Sequence, residues 1–276
     1  MELPQPSPLS RMNTTMSPNQ TNELTCVPHM ISRLFIRNIF KLPGMLNSEC
    51  NQFLNTYEFN QIGEIGSDIS VEDVSLPQLV THCKNVESVH KVVMYLYIYF
   101  LIIEKYPTIC SVGLIDTPVS EIIDYVKNQI NAKLIPKKVE QYESVIIPVL
   151  EKIGQINISV EVENMNDKKV LSRKFIRHMK RHDNEYVGCL MYSDEAKHAT
   201  VIGGIGYNPE LSEIPVDNTL IIKDSYGVSN TYISIHDFLN HGFNGYELKY
   251  FVYLSPTMGG KSRKKLNKKT YRKHKR

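Results

Sequence analysis

Four side chains of this 276-residue chain have the types and the order that acyl-transfer chemistry requires. The first pair is Gln20 and Cys26, and an apolar pattern of helical spacing begins at the cysteine. A thiol at a helix N-terminus is acidified, because unpaired backbone N–H groups and the helix dipole favour the thiolate, which is the nucleophile. Gln20, six residues earlier, can place its amide beside the Cys26 backbone N–H, so that two donors face a developing oxyanion.

The second pair follows in the C-terminal half of the chain. His198 opens the glycine-rich run H-A-T-V-I-G-G-I-G-Y, and Asp224 ends the apolar part of L-I-I-K-D-S-Y-G. If these two strand-like runs pair, Asp224 can accept a hydrogen bond from one ring nitrogen of His198 while the other faces Cys26. The sequence therefore predicts a nucleophile, a base, an orienting carboxylate and an oxyanion donor.

This set of motifs resembles the papain-like cysteine peptidases. Their pattern has a glutamine six residues before the cysteine, then a histidine opening a strand H-A-V-x-x-V-G-Y, and then K-N-S-W-G with an orienting asparagine. The resemblance implies that Gln20 is the oxyanion donor, Cys26 the nucleophile and His198 the base, with Asp224 where the family has asparagine. The run F-N-G-Y at 243–246 is similar to the family's N-G-Y. The resemblance covers about 25 residues at the front of the chain and about 60 at the back.

Several positions depart from the family pattern. Val27 follows the cysteine where the family usually has an aromatic residue, and Tyr226 replaces the tryptophan that shields the histidine. Asp224 keeps an acceptor for the base, and its charge should stabilise the imidazolium. Pro28 pushes the residue before it out of helical geometry, which would start the helix one residue after the cysteine.

The first half of the chain has helical periodicity. The pattern predicts an amphipathic helix over 26–42, a long helix over about 77–105 and a shorter one from 118 to about 131. The basic residues opposite the apolar side of the first helix are Arg33, Arg37 and Lys41. The apolar run within the long helix has 12 residues, and a bilayer needs about 20, so we expect a buried core helix.

The second half alternates with the period of strands. Strands are expected at 156–162, 186–192, 198–207, 219–224, 230–235 and 247–254, with a helix at about 167–182. The fold class is therefore α+β. The resemblance implies a papain-like, two-lobed fold over 18–258, with a helical lobe at about 26–153 and an antiparallel sheet or barrel at about 154–254. The 172 residues between Cys26 and His198 exceed the usual papain interval and imply extra helical elements.

The five cysteines form no regular pattern. An odd count without a C-x-x-C pair disfavours a disulfide framework and a zinc ribbon, so we expect reduced thiols. The group His82, Cys83 and His90 fits no common structural zinc spacing. We expect no metal and no other cofactor.

The two ends of the chain differ in composition from the rest. Residues 1–17 are rich in Pro, Ser, Thr and Asn, and we expect them to be a disordered lead-in. They contain no secretory signal, so we expect an intracellular protein of the host cytoplasm or a virion that is not bound to a membrane. Residues 261–276 hold ten Lys or Arg and no acid, whereas the remainder holds 22 basic and 29 acidic residues. The 259–276 tail is expected to be a disordered cationic arm that contacts nucleic acid without sequence preference, and it resembles tails of giant nucleocytoplasmic DNA virus proteins.

The combined expectation is a cysteine peptidase that hydrolyses peptide or isopeptide bonds of a protein substrate, such as a viral precursor or a ubiquitin-type conjugate. One alternative is another Cys-His-Asp acyl transferase. A second is a catalytically silent papain-like binding or packaging module that the basic tail holds on nucleic acid. The sequence does not choose a substrate.

Overall fold

The structure is a computed structural model that describes residues 26–42, 49–50, 75–107, 118–166, 168–182, 185–194, 197–205, 219–223 and 231–257. The expected lead-in over 1–17 and the basic tail over 259–276 lie outside these residues. The α-helices are α1 (Cys26–Leu34), α2 (Leu76–Cys83), α3 (Val86–Lys105), α4 (Val119–Asn131), α5 (Glu143–Ile153), α6 (Lys168–Arg181) and α7 (Ile235–His241). A π-helical turn, Phe35–Ile39, continues α1, and a 3-10 helix, Lys137–Tyr142, precedes α5.

The strands form one antiparallel sheet of six strands among the described residues. They are β1 (Ile158–Asn164), β2 (Val187–Tyr192), β3 (Lys197–Ile205), β4 (Thr219–Lys223), β5 (Thr231–Ser234) and β6 (Glu247–Pro256). Their order across the sheet is β1-β6-β2-β3-β4-β5. Helices and an antiparallel sheet in one chain confirm the α+β class.

Local capping explains where α2 and α3 begin. Ser75 and Gln78 form a reciprocal capping box at the start of α2, and the Asn85 side chain accepts a hydrogen bond of 2.7 Å from the Ser88 N–H at the start of α3. Lys84 between them has the left-handed φ of 52°. The prediction of one continuous helix over 77–105 is therefore wrong, because the left-handed residue and the new cap end α2 and restart the chain as α3.

The sheet is covered by helices on both faces. One core contains α1, α3, α4 and α5 with Ala199, Val201 and Val252 of the sheet. The other contains Phe175 of α6 stacked on Phe251 of β6, with ring centroids 4.6 Å apart, together with residues of α7. Residues next to each other on a strand thus enter different cores, as strand alternation requires.

Helix α1 is the central element of the molecule. It packs against α3 on one side and against β2 and β3 on the other, so all nine of its residues are buried. Gly188 allows this close approach, because a Cβ there would lie 2.9 Å from the Met30 sulfur and 3.2 Å from a Leu34 methyl group. The expected outward polar side of the helix is therefore wrong at Arg33, which is only 3% exposed.

The start of α1 also differs from the expectation. The helix includes Cys26 and does not begin one residue later. Pro28 is therefore accommodated within α1, two residues after Cys26.

Helix α3 has the length and composition of a membrane span, with a mean hydropathy of 1.5 over an 18-residue window. In the structure 78% of that window is buried inside the protein. Its apolar side chains are covered by the other helices and by the sheet-facing α1, which agrees with the expectation of a core helix.

Cys50 and Cys83 form a disulfide, with their Cα atoms 4.2 Å apart. The prediction that the cysteines are reduced is wrong for this pair. The two residues are 33 positions apart in no recognisable motif, and only the folded chain brings them together.

Candidate active site

The structure describes two of the four expected site residues. Cys26 is the first residue of α1 and is 4% exposed, and His198 is the second residue of β3 and is 2% exposed. Helix α1 packs against β3, so the elements that carry the thiol and the imidazole are in direct contact. Gln20 and Asp224 lie outside the described residues.

The His198 side chain faces Tyr246. Strand alternation places Ala199 in the core that contains Cys26, and places the imidazole on the other face of β3. There its ring lies 5.4 Å from the Tyr246 ring, centroid to centroid. The thiol and the imidazole therefore belong to elements that touch, but the imidazole lies on the face of β3 opposite the core that contains Cys26.

A tight turn places Tyr246 beside the imidazole. Phe243 and Tyr246 exchange two backbone hydrogen bonds of 2.9 Å, and the central residues Asn244 and Gly245 have φ values of 50° and 82°. These are the positive values that Asn-Gly adopts readily in a two-residue hairpin loop. The F-N-G-Y run thus supplies the aromatic neighbour of His198, while the expected Tyr226 lies outside the described residues.

A second histidine lies one helical turn after Cys26. The His29 ring nitrogen Nδ1 hydrogen bonds the Tyr95 hydroxyl of α3, and both side chains are buried. Burial, with a smaller contribution from Arg33, lowers the pKa of His29 to about 3. His29 is therefore neutral near pH 7 and does not supply the imidazolium of a thiolate–imidazolium pair.

Buried cations surround the middle of α1. Arg33, Lys91 and Lys223 are each less than 5% exposed. Burial, and then the charges of Arg33 and Arg37, lower the pKa of Lys223 to about 6. Burial, and then Arg37, lower the pKa of Lys91 to about 8. Near pH 7 Lys223 is therefore mostly uncharged, and burial is the larger cause of both lowered pKa values.

A small cavity of about 20 Å³ opens beside these cations, which is room for a water molecule. Its lining is formed by Arg33, Ile36, Arg37, Leu42, Lys91, Tyr95 and Tyr186. The cavity lies along the second half of α1 and the π turn, two helical turns from the thiol. It is too small for a peptide substrate.

The sequence contained a signal for one of these basic residues. Lys223 ends a strand whose other residues are apolar or Thr. A charged residue within a buried-type run needs a specific partner, so Lys223 was identifiable as a candidate for a role inside the protein.

Among the described residues, two cysteines lie outside the disulfide, and their surroundings differ. Cys189 lies in the middle of β2, and burial raises the pKa of its thiol well above the ordinary value. Cys26 lies at a helix start against β3. Within the described part of the chain, no group of three His, Cys, Asp or Glu side chains is arranged to hold a metal ion.

Comparisons of the chain with protein-family models, with curated proteins and with solved structures found no match.

Proposed function

We propose that this protein is a papain-like cysteine peptidase in which Cys26 attacks the carbonyl of a peptide or isopeptide bond. The observation that carries the proposal is the packing of α1, which begins at Cys26, against β3, which carries His198 near its start. The neighbouring strand β4 ends at Lys223, directly before Asp224, and is paired with β3 through Val201. The order of these elements along the chain and the contact between α1 and β3 support the proposal.

In the proposed mechanism the Cys26 thiolate adds to the substrate carbonyl and forms a tetrahedral intermediate. The Gln20 amide and the Cys26 backbone N–H stabilise its oxyanion. His198, oriented by Asp224, then protonates the leaving amine and afterwards activates a water that hydrolyses the thioester. The helix dipole of α1 favours the negative charge on the sulfur.

One observation favours the silent binding module as the second candidate. Cys26 is 4% exposed and the His198 imidazole faces Tyr246, so the nucleophile is covered and its base lies on the other strand face. An enzyme needs the thiol to be reached by substrate. The reactivity of the thiol therefore separates the two candidates.

The test is the pH dependence of alkylation by iodoacetamide, measured at each cysteine by peptide mass spectrometry. A site of the proposed kind labels Cys26 rapidly below about pH 6, because the thiolate of a Cys-His pair persists well below the ordinary thiol pKa of about 8.5. His198→Ala should slow this labelling. His236→Ala is the matched control, because His236 is an exposed histidine on α7 with 80% of its side chain accessible.

Cys189 provides an internal reference in every sample, since its buried thiol should stay unlabelled while the protein is folded. Labelling of Cys26 that rises only near pH 8.5 and ignores His198 would support the binding module and reject the peptidase. If the thiol is activated, hydrolysis of a thiol-reactive p-nitrophenyl ester with and without an added amine separates a hydrolase from an acyl transferase. Gln20→Ala should slow that hydrolysis without moving the alkylation profile, because oxyanion donors act on the acylation step.

A further inference from the structure

We propose that the outer face of α6 is a docking surface for the phosphate backbone of double-stranded nucleic acid. This outer face consists of Arg173, Arg177, Lys180 and Arg181, which are all exposed. It belongs to the described part of the chain and is distinct from the basic tail over 259–276. The proposal does not depend on the reactivity of Cys26, because no residue of the candidate active site takes part in it.

Positive charge is concentrated in α6. Its 14 residues, Lys168–Arg181, include seven Lys or Arg and no Asp or Glu. Outside 261–276 the chain holds 22 basic and 29 acidic residues, so seven of those 22 basic residues lie in this one helix. Solubility favours surface charges of both signs interspersed, whereas a run of one sign creates a local positive potential that attracts anions.

The packing of α6 on the sheet turns these charges outward. Phe175 and Met179, one helical turn apart, are at most 2% exposed and lie in the core on this face of the sheet. Since each residue of a helix adds about 100° of rotation, Arg177 lies opposite these two side chains. Arg173 and Arg181, one turn before and one turn after it, extend the outer face over about 12 Å of the helix axis.

Carboxylates pair with a different row of basic side chains on α6. This second row is formed by Lys174, His178 and His182. The Lys174 Nζ lies 2.7 Å from a carboxylate oxygen of Glu161 and also pairs with Glu163, both of β1. The Glu185 carboxylate lies 3.8 Å from the first imidazole of the row and 3.5 Å from the second. Within the described residues, these carboxylates therefore form their ion pairs with the second row and not with the arginines of the outer face.

Side-chain type indicates which polyanion the outer face fits. Arginine has a planar fork that matches phosphate oxygens, and a duplex presents closely spaced phosphates to a row of cations. The exposed side chains described on α6 are all basic, so the outer face has no aromatic ring on which an unpaired base could stack. The described apolar residues of α6 pack in the core and are not available to enter a lipid surface. We therefore expect a duplex to bind without sequence preference, because phosphates carry no base identity.

The test measures binding of a fluorescently labelled DNA duplex of mixed sequence to the full-length protein between about 50 and 200 mM salt. Each phosphate contact adds about 0.9 to the slope of log K against log salt concentration. The triple variant Arg173→Gln, Arg177→Gln, Arg181→Gln should lower that slope by about 2.7, so the affinity of the wild type should fall about 40-fold further over this range than that of the variant. The basic tail is present in both proteins, so its contribution is common to both slopes.

The matched control is the triple variant Lys133→Gln, Lys137→Gln, Lys152→Gln, which removes the same charge from exposed positions in the helical half of the chain. It should keep the slope of the wild type. A second measurement needs no variant: the duplex should protect Lys180, but not Lys137, from acetylation by an N-hydroxysuccinimide ester. Resistance of the buried Cys189 thiol to iodoacetamide shows that each variant is folded.

Three results would each overturn the proposal: a wild type that does not bind the duplex, an equal loss of slope in the two triple variants, and acetylation of Lys180 that the duplex leaves unchanged. The same measurements with the unpaired DNA strand and with vesicles containing phosphatidylserine test the choice of partner. If the arginine variant loses binding to the strand or to the vesicles while its slope with the duplex is unchanged, the outer face serves that other anion and not a duplex.

Discussion

Lys223 is the residue whose lowered pKa has the clearest consequence for the stability of the protein. Its pKa is lowered to about 6 by burial and by Arg33 and Arg37, whereas a lysine in an unfolded chain has a pKa of about 10.4. Between these pH values the unfolded chain binds more protons than the folded one, so the free energy of unfolding rises with pH across that window. Removing the amine removes this part of the pH dependence.

We therefore predict that Lys223→Met flattens the dependence of stability on pH. From about pH 6.5 to about pH 9, the wild type should gain roughly 3 kcal/mol in free energy of unfolding relative to the variant, at about 1.4 kcal/mol for each pH unit. Urea unfolding at the two pH values measures the difference. The backbone carbonyl that Arg33 and Thr200 hold is retained in the variant.

Lys249→Met is the matched control, because Lys249 is an exposed lysine paired with Glu247 at 2.6 Å. It should leave the slope of stability against pH as it is in the wild type. Parallel curves for the wild type and K223M would show that the Lys223 amine keeps its charge in the folded protein.

At the scale of elements, the π turn after α1 ties the central helix to the sheet. Asn38 in this turn makes three buried hydrogen bonds to the backbone of the sheet region: its amide nitrogen donates to the carbonyls of Tyr186 and Leu254, each over 2.8 Å, and its oxygen accepts from the Tyr186 N–H over 2.7 Å. π turns are rare and often lie at functional sites. Here the Asn38 side chain binds both the residue that precedes β2 and strand β6.

We predict that Asn38→Ala lowers the free energy of unfolding by about 3 kcal/mol, because it leaves three buried backbone groups without this partner. Asn38→Asp should be worse, since its carboxylate oxygens would face two carbonyl oxygens. Asn240→Ala is the control: Asn240 also donates to a backbone carbonyl, over 2.9 Å, but it is exposed, and its loss should cost less than about 1 kcal/mol. Equal losses in urea unfolding for N38A and N240A would contradict the role of the turn.

The elements that the sequence predicts well are those whose pattern is local. Every expected strand forms within a few residues of its predicted limits, because a short alternating or apolar run bounded by turn residues is itself the strand signal. The break between α2 and α3 was missed, since Lys84 in left-handed geometry leaves no apolar gap in the pattern. Helix α7, whose start is capped by Ser234, was also missed, because seven residues are too few for a periodicity.

The residues of the candidate site also differ in whether a local sequence pattern could predict them. Motif spacing in the sequence indicated Cys26 and His198, and the structure brings their elements into contact. The packing of α1, β3 and β4 brings Arg33 and Thr200 to the Lys223 carbonyl. Thr200 is 23 positions from Lys223 in the sequence, and Arg33 is 190 positions from it. Contacts at such separations have no local pattern, so no spacing rule could have predicted them.

At the scale of the whole molecule, the helices and the sheet share one core through α1. Residues of α1, α3, α4 and α5 form a single apolar cluster with Tyr186, Val201 and Val252 of the sheet region. A change that separates the helices from the sheet therefore exposes the central helix and the cation cluster around Arg33. We expect the described halves of the chain to unfold together and not as two independent units.

The disulfide between Cys50 and Cys83 should stabilise the folded protein as a whole. Closing a loop across 33 positions restricts the unfolded chain, and the loop-entropy model gives about 3 to 4 kcal/mol of stabilisation. We predict that dithiothreitol lowers the free energy of unfolding of the oxidised wild type by an amount of this order. The Cys50→Ser, Cys83→Ser double variant should start at the lower value and be indifferent to the reductant.

A count of free thiols decides whether the bond forms. After denaturation without reductant, alkylation of protein purified under oxidising conditions should label three of the five cysteines, and five labelled thiols in that protein would contradict the disulfide. The same count bears on the expected intracellular location, because cytosolic thiols are kept reduced and persistent disulfides there are rare. Three labelled thiols in protein taken directly from an oxidising compartment, and five in protein from the cytosol, would make the bond a marker of where the chain folds.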